Sequence, residues 1–319
     1  MAETAVVSTP FLWEGTDRKG NKVKGKSMAT TEAAVRADLR RQGVVPSRIR
    51  KQRASMFSGG SKITTGDIAI FSRQLATMLA AVRMPQDAVE LLGQLRGKFG
   101  DTVQAFELIS AHCMALVARN VPDAAISVDA DEPWYVLVDI EVRDGSELLE
   151  EAMMVELESG RVRDVLVAKN AKEAEGFWRL RHSLSEAQNP EGAALKHDIS
   201  VPTGRIAEFV DAAAGLVAEL SPGARIAAFG HVGDGNLHYD VLQPQGANGA
   251  DFLRDGEALT AALYELADRL GGSFSAEHGV GLFKRAHLER FRGGTEIALM
   301  RTLKAALDPR GTLNPGKVI

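Results

Sequence analysis

The chain has 319 residues, enough for two domains with a full core, and its 45% apolar and 25% charged residues exclude wholesale disorder. Its 38 basic and 42 acidic side chains leave a net charge of −4, which argues against a nucleic-acid binder. A single cysteine, Cys113, excludes an internal disulfide or a cysteine-based zinc site and suits a reducing compartment.

No apolar run approaches the roughly 18 residues of a membrane span. The first ten residues lack the basic-then-apolar pattern of a secretory signal, so a cytoplasmic location is expected. Residues 11–50 read as a small basic unit. Two strand-like runs flank the turn Asp17-Arg18-Lys19-Gly20, a helix capped by Thr30 or Thr31 runs to Gln42, and Val44 to Ile49 offers a third strand. Between Asp17 and Arg53 stand twelve Lys/Arg against three Asp/Glu, a local charge of +9. That stretch is either a solvated face or a docking surface for anionic lipid or an acidic partner.

Residues 51–62, polar and small around Gly59-Gly60, read as a linker. A helix capped by Thr65 or Asp67 is then expected to run through to about Val82. Beyond it, Asp87 to Leu95 and Val103 to Val117 read as helices, the second with Cys113 in its core. Trp134 to Val142 is a strand, Ser146 to Glu158 a helix, and VRDVLVA another strand. Helices follow at Ala171 to Gln188 and Ile206 to Leu220; IAAFGHV and LHYDVLQ read as paired strands, and Glu257 to Leu270 as a last helix. This alternation predicts an α+β fold, an antiparallel sheet covered by helices and preceded by a ββαβ-like basic domain and a helix.

The chemistry concentrates in three segments. In Phe229-Gly230-His231-Val232-Gly233-Asp234-Gly235-Asn236-Leu237-His238, a tight Gly-Asp-Gly-Asn turn brings His231 and His238 back towards one another. Converging imidazoles suit zinc or ferrous iron, although a hairpin with incidental histidines is an equally simple reading of the pair alone. In Gly271-Gly272-Ser273-Phe274-Ser275-Ala276-Glu277-His278-Gly279, Glu277 can complete a two-histidine, one-carboxylate set. Adjacent side chains in extended backbone diverge, which leaves His278 as a free base or a packing residue. The third segment supplies cations, with Arg179 and Arg181 near Ser185, and Lys196 in Lys196-His197-Asp198. Each is a surface charge when taken singly, or a grip on a carboxylate when paired with a metal site. His112, His182, His197 and His287 read as surface or packing residues.

The motifs FWRLRHSLSEA, KHDISVP, FGHVGDGNLH, GGSFSAEHGVGLFKR and the ending LDPRGTLNPGKVI together resemble the C-terminal domain of FAD-linked oxidases of the vanillyl-alcohol-oxidase superfamily. The D-2-hydroxy-acid dehydrogenase branch is the nearest. The resemblance implies His231, His238 and Glu277 as ligands of a divalent metal, zinc being the ion expected. It implies His278 as the base that takes the substrate hydroxyl proton while hydride passes to flavin. Arg181, Ser185, Lys196 and Asp240 fall on substrate-binding positions of a small 2-hydroxy acid. Asp240 stands where the D-2-hydroxyglutarate branch has asparagine, and a carboxylate there repels an anionic substrate unless the metal or Lys196 offsets it. Asn314 falls where the family's tail returns towards FAD, or it belongs to a simple C-terminal turn.

FLWEGTDRKGNKVKGKSMA, VRADLRRQGVVPSRIRK and ITTGDIAIFSRQLATMLAA resemble something else, the cytoplasmic N-terminus of the inner-membrane platform family of type IV pili and type II secretion. The chain thus reads as a fusion, with residues 1–50 a platform-like unit, 51–62 a linker, 63–82 a helix of the same resemblance and 83–319 the oxidase domain. No flavin pyrophosphate loop is read before the oxidase segment, so a flavin-binding partner in trans is expected. The alternative is a non-enzymatic interaction module whose residues 1–82 dock to pilus or secretion machinery, placing the chain at the inner membrane's edge.

Overall fold

The computed structural model describes residues 9–16, 22–29, 44–51, 74–126, 132–142 and 147–319, together with residues 32, 35, 36 and 39. The chain divides into two compact units, Met1–Ala69 and Ile70–Ile319.

In the first unit, β1 (Thr9–Thr16) pairs antiparallel with β2 (Lys22–Ala29) on one side and β3 (Val45–Lys51) on the other. Residues 32, 35, 36 and 39 are helical between β2 and β3, which gives the ββαβ order expected. Val35 and Leu39, one turn apart on that helix, are buried against Trp13, Val44 and Ile49. Trp13 keeps its polar edge satisfied by donating from Nε1 to Ser27 Oγ at 3.0 Å. The turn at residues 17–20 and the linker at 52–62 lie outside the described residues.

The second unit is built on an eight-stranded sheet. Along it run β7 (Val162–Val167), β4 (Gln74–Val82), β6 (Trp134–Val142), β5 (Val103–Ser110), β10 (Arg225–His231), β11 (Asn236–Leu242) and β8 (Ala194–Leu195). The short β9 (Asp198–Ser200) also pairs with β11, and every pairing is antiparallel. Helices cover both faces. On one, Met78, Phe106, Leu108, Val138 and Tyr239 pack with α1 (Pro85–Phe99), α5 (Ile206–Leu220) and α7 (Glu257–Arg269). On the other, Leu79, Ile109, Leu137 and Phe229 pack with α2 (Ala111–Asn120) and α4 (Ala171–Ser183). The remaining helices are α3 (Glu147–Glu158), α6 (Gly249–Asp255), α8 (Arg285–Phe291) and α9 (Thr295–Leu307).

Two expectations fail for one reason. Gln74–Val82 was expected to continue a helix and is strand β4; residues 63–73 lie outside the described residues. Val103–Val117 was expected to be one helix and divides into β5 and α2. A strand covered on both faces carries apolar residues at consecutive positions, so alternation is lost and a buried helix looks the same. Thus Met78 and Ala80 enter one core while Leu79 and Ala81 enter the other. The expected helix at Ala171 also stops early: it closes at Ser183, and a 3-10 segment, Glu186–Glu191, follows. Cys113 is buried on α2, as expected, and burial pushes its thiol up to about 12, so it is a packing residue. Among the described residues no helix is long and apolar enough to cross a membrane.

Candidate active site

The hairpin of β10 and β11 sets the first half of the site. Its turn requires glycine twice. At Gly235 (φ 77°) a Cβ would fall 1.7 Å from the Val201 carbonyl oxygen, and at Gly230 (φ 153°) one would fall 2.4 Å from that of Asn236. Asp234 Oδ1 accepts the Asn236 N–H at 3.0 Å and closes the turn. His238 lies opposite Phe229 in the ladder, and their rings pack at 4.9 Å. His231 ends β10 directly opposite Glu107 of β5.

The second half is a loop. Ser200 and Ser273 form a single antiparallel bridge, after which residues 274–279 bend. The Asp198 carboxylate, only 2% exposed, organises the bend. Its Oδ2 accepts the backbone N–H groups of Ala276 (3.1 Å), Glu277 (2.9 Å) and His278 (2.7 Å), while Oδ1 accepts Asn236 Nδ2 at 2.8 Å. Burial would raise the Asp198 pKa; the His278 N–H and the Asn236 amide, followed by the Glu277 N–H, outweigh it and hold the carboxyl below its usual range.

So turned, Glu277 reaches the histidines. Its Oε1 lies 3.3 Å from His231 Nε2 and its Oε2 lies 3.9 Å from His238 Nε2. Donor atoms about 2.0–2.2 Å from a tetrahedral zinc stand roughly 3.4 Å apart; the His231 separation matches that value and the His238 separation is longer. His278 stacks on His238 with ring centroids 5.2 Å apart and points Nδ1 at Asp198, 3.9 Å away. The two neighbours Glu277 and His278 therefore serve different sides of His238, through a bend rather than through extended backbone. Burial lowers the His238 pKa to about 4, which leaves that ring neutral and able to ligate.

Asp198, His238 and His278 also present ligand atoms within 4.8 Å of one another. Asp198 is already committed to four N–H donors, which makes it an anchor for the loop. Glu277 carries no such load and faces both His231 and His238, but those three do not form a group whose ligand atoms all lie within 4.8 Å of one another.

Arg181 of α4 approaches from the helix layer. Its guanidinium carbon lies 5.0 Å over the Phe229 ring, and Nε donates to Glu107 Oε2 at 2.9 Å. Glu107 Oε1 accepts from His231 Nδ1 at 2.5 Å. Burial pushes the Glu107 carboxyl up, but His231 and Arg181 together hold it below the ordinary value. The same hydrogen bond is the main cause that raises His231.

The other expected residues are less closely gathered. Asp240 is buried two positions beyond His238 on β11, and burial raises it to about 6 against the opposing charge of Lys196. Lys196 is exposed between β8 and β9. Ser185 is exposed just past α4, with no hydrogen bond to the cluster among the described residues. Asn314 adopts a left-handed turn (φ 46°) whose carbonyl accepts the Lys317 N–H. The tail after it returns to the loop, where Val318 N–H donates to Gly281 O at 2.8 Å. Glu107 and Asp198 were not expected as site residues. Glu107 had a signal, an acid inside the short apolar run Phe106-Glu107-Leu108-Ile109 that must be partnered if buried; Asp198, between His197 and Ile199, had none.

Sheet, helix layers and cluster place the second unit among the α+β domains of FAD-linked oxidases. Residues 72–318 match the family of FAD linked oxidases, C-terminal domain, and the chain belongs to it. Residues 8–50 match the N-terminal domain of Type II secretion system protein F. D-2-hydroxyglutarate dehydrogenase of Stutzerimonas stutzeri is 34% identical over 217 residues, 67% of this chain and 46% of the relative. The mitochondrial D-2-hydroxyglutarate dehydrogenase of Arabidopsis thaliana is 33% identical over 233 residues, 72% of this chain and 40% of that one. The chain thus spans less than half the length of these curated relatives. Among solved structures, p-cresol methylhydroxylase with substrate bound shares 11% identity at a TM-score of 0.53, covering 98% of this chain and 65% of that one. The 4-ethylphenol oxidase from Gulosibacter chungangensis gives 14% and 0.52, covering 97% and 65%. Likeness at such identity concerns the fold alone.

Proposed function

We propose that the second unit is the substrate-side domain of an FAD-linked dehydrogenase that oxidises a 2-hydroxy acid to the 2-oxo acid. The observation that carries this reading is the Glu277 carboxylate set between His231 Nε2 and His238 Nε2. Two imidazole nitrogens and a carboxylate turned towards one another are a ligand set that suits a divalent cation. His231, His238 and Glu277 would hold a divalent ion, zinc by the donor set, and the ion would supply positive charge against the substrate's hydroxyl oxygen. FAD, brought by a flavin-binding domain docked on this one, would supply the hydride acceptor.

The chain's own residues do the rest. His278 is exposed beside the cluster, stacked on His238, where a free ring nitrogen would receive the C2 hydroxyl proton. Arg181, held flat over Phe229, offers its terminal nitrogens to the substrate carboxylate. Lys196 and Ser185 would contribute to holding the substrate's carboxylates, and Asp240, raised by burial, carries less negative charge near neutral pH than an ordinary aspartate. The names of the curated relatives favour a D-configured dicarboxylate, 2-hydroxyglutarate.

Metal analysis and calorimetry test this. The full chain, exposed to zinc and dialysed, is expected to retain one equivalent, and His231→Ala to lose it. D-2-hydroxyglutarate is expected to bind the zinc-loaded chain more tightly than succinate, which lacks the hydroxyl. Traces of zinc that His231→Ala leaves unchanged, or equal binding of both acids, overturn the reading.

A second role rests on residues 8–50. Their match to a secretion-system domain and their ten Lys/Arg against four Asp/Glu favour docking to an acidic component of secretion or pilus machinery. A pull-down with the full chain, but not with a chain lacking residues 1–50, is the expected result. No capture at modest salt removes this role.

A further inference from the structure

We infer that Glu107 is a positioning residue that ties the geometry of the metal ligand His231 to that of the substrate anchor Arg181. The inference rests on the function proposed above and adds a residue to it. Glu107 is 2% exposed and spans the two groups, Oε1 to His231 Nδ1 at 2.5 Å and Oε2 to Arg181 Nε at 2.9 Å.

A carboxylate only accepts, so the contact with His231 fixes the ring proton on Nδ1. In the neutral ring the lone pair is then on Nε2, the atom 3.3 Å from Glu277. Imidazole ligands of metals commonly have their second nitrogen held this way, and loss of such a partner weakens metal binding about 10- to 100-fold. His238 has no equivalent, because its Nδ1 stands 3.8 Å from Asp198, beyond hydrogen-bonding distance. Of the two histidines, His231 is therefore the one whose orientation is set by a supporting hydrogen bond from its second ring nitrogen.

The second contact decides how Arg181 can be used. A guanidinium grips a carboxylate either side-on, through Nε and one terminal nitrogen, or end-on, through both terminal nitrogens. Glu107 occupies Nε, and among the described residues the terminal nitrogens have no hydrogen-bond acceptor. Only the end-on grip is open. One buried acid thus sets both the nitrogen that faces the ion and the edge that faces the substrate.

Glu107→Gln separates the roles. Arg181 is always charged, so the amide oxygen turns to it and the amide NH2 faces His231. His231 then accepts at Nδ1 and carries its proton on Nε2, the wrong place for a ligand. Two measurements on the full chain test this. Long-range proton–nitrogen NMR of the metal-free protein at alkaline pH, where imidazoles are neutral, is expected to show His231 as the Nδ1–H form in wild type. The Nε2–H form is expected in Glu107→Gln, and the Nδ1–H form again in Glu107→Asp. Zinc affinity by competition with a chromophoric chelator should fall about 10- to 100-fold in Glu107→Gln and recover largely in Glu107→Asp. An Nε2–H form in wild type, or zinc affinity unchanged in Glu107→Gln, overturns the inference. A wild-type chain that takes up no zinc defeats the proposed function, while the tautomer spectra still decide the role of Glu107.

Discussion

The two halves of the site are held by different means. His231 and His238 sit on strands of an eight-stranded sheet, His231 paired with β5 and His238 paired on both sides, with β10 and β9. Glu277 and His278 sit on a bend whose polar backbone is gathered by one buried carboxylate, that of Asp198. Local bonds help, from Ser275 Oγ to Gly279 O at 2.9 Å and from Lys284 Nζ to Ser275 Oγ at 3.1 Å, but they lie on the loop or beside it. The sheet half is over-determined, and the loop half hangs on a single group. Substitutions in the two halves should accordingly fail in different ways.

The largest effect is expected from Asp198→Ala. It leaves the Glu277 and His278 N–H groups without an acceptor and strips one of two acceptors from the Ala276 N–H and the Asn236 amide, at a cost of roughly 3–5 kcal/mol in urea unfolding, and zinc retention should disappear with the loop. An unfolding midpoint equal to wild type would show that the loop has another anchor. Glu277→Gln comes next. The side chain is half-exposed, so stability should change by less than about 0.5 kcal/mol while zinc affinity falls at least tenfold, about 1.4 kcal/mol. Comparable losses of stability from both variants would erase the contrast between anchor and ligand.

Acid should probe the sheet half instead. His197 is buried behind β11, with Nδ1 bonded to the Tyr239 carbonyl at 2.8 Å and Nε2 to Thr260 Oγ1 at 3.0 Å, and burial lowers it to about 4. The unfolded chain binds this proton below its ordinary value of 6.5 and the folded chain only near 4. Stability is therefore whole above pH 6.5 and declines as pH falls towards 4, by up to about 3 kcal/mol for this group. His197→Gln should flatten that part of the stability profile, and an unaltered slope would remove His197 as its cause. The smallest effect is expected from Ser185→Ala, which lies on an exposed position. Folding and zinc binding should stay as in wild type, and affinity for the substrate carboxylate should fall by no more than about 1 kcal/mol in calorimetry.

What could be read from the residues follows the same division. The hairpin was legible because Gly-Asp-Gly-Asn permits one kind of turn and its flanking strands alternate. Glu277 was legible as the acid beside a histidine in a glycine-rich segment. The supports were not, because Glu107 and Asp198 act from strands buried on both sides, where an apolar run reads equally well as helix. Placing Val103 to Val117 in one helix removed Glu107 from view, and the same ambiguity turned Gln74–Val82 from helix to strand. Local pattern reports turns and exposed faces well. It reports poorly on which acid lies across a sheet from which histidine, because that is set by register between β5 and β10.

X-ray absorption at the zinc edge on the loaded full chain bears most directly on the meeting of His231, His238 and Glu277 around one ion. The expected spectrum has a shell of nitrogen and oxygen at about 2.0–2.1 Å with the multiple scattering of two imidazoles, reduced to one in His238→Ala. A zinc shell that keeps two imidazoles in the double variant His231→Ala, His238→Ala would contradict it.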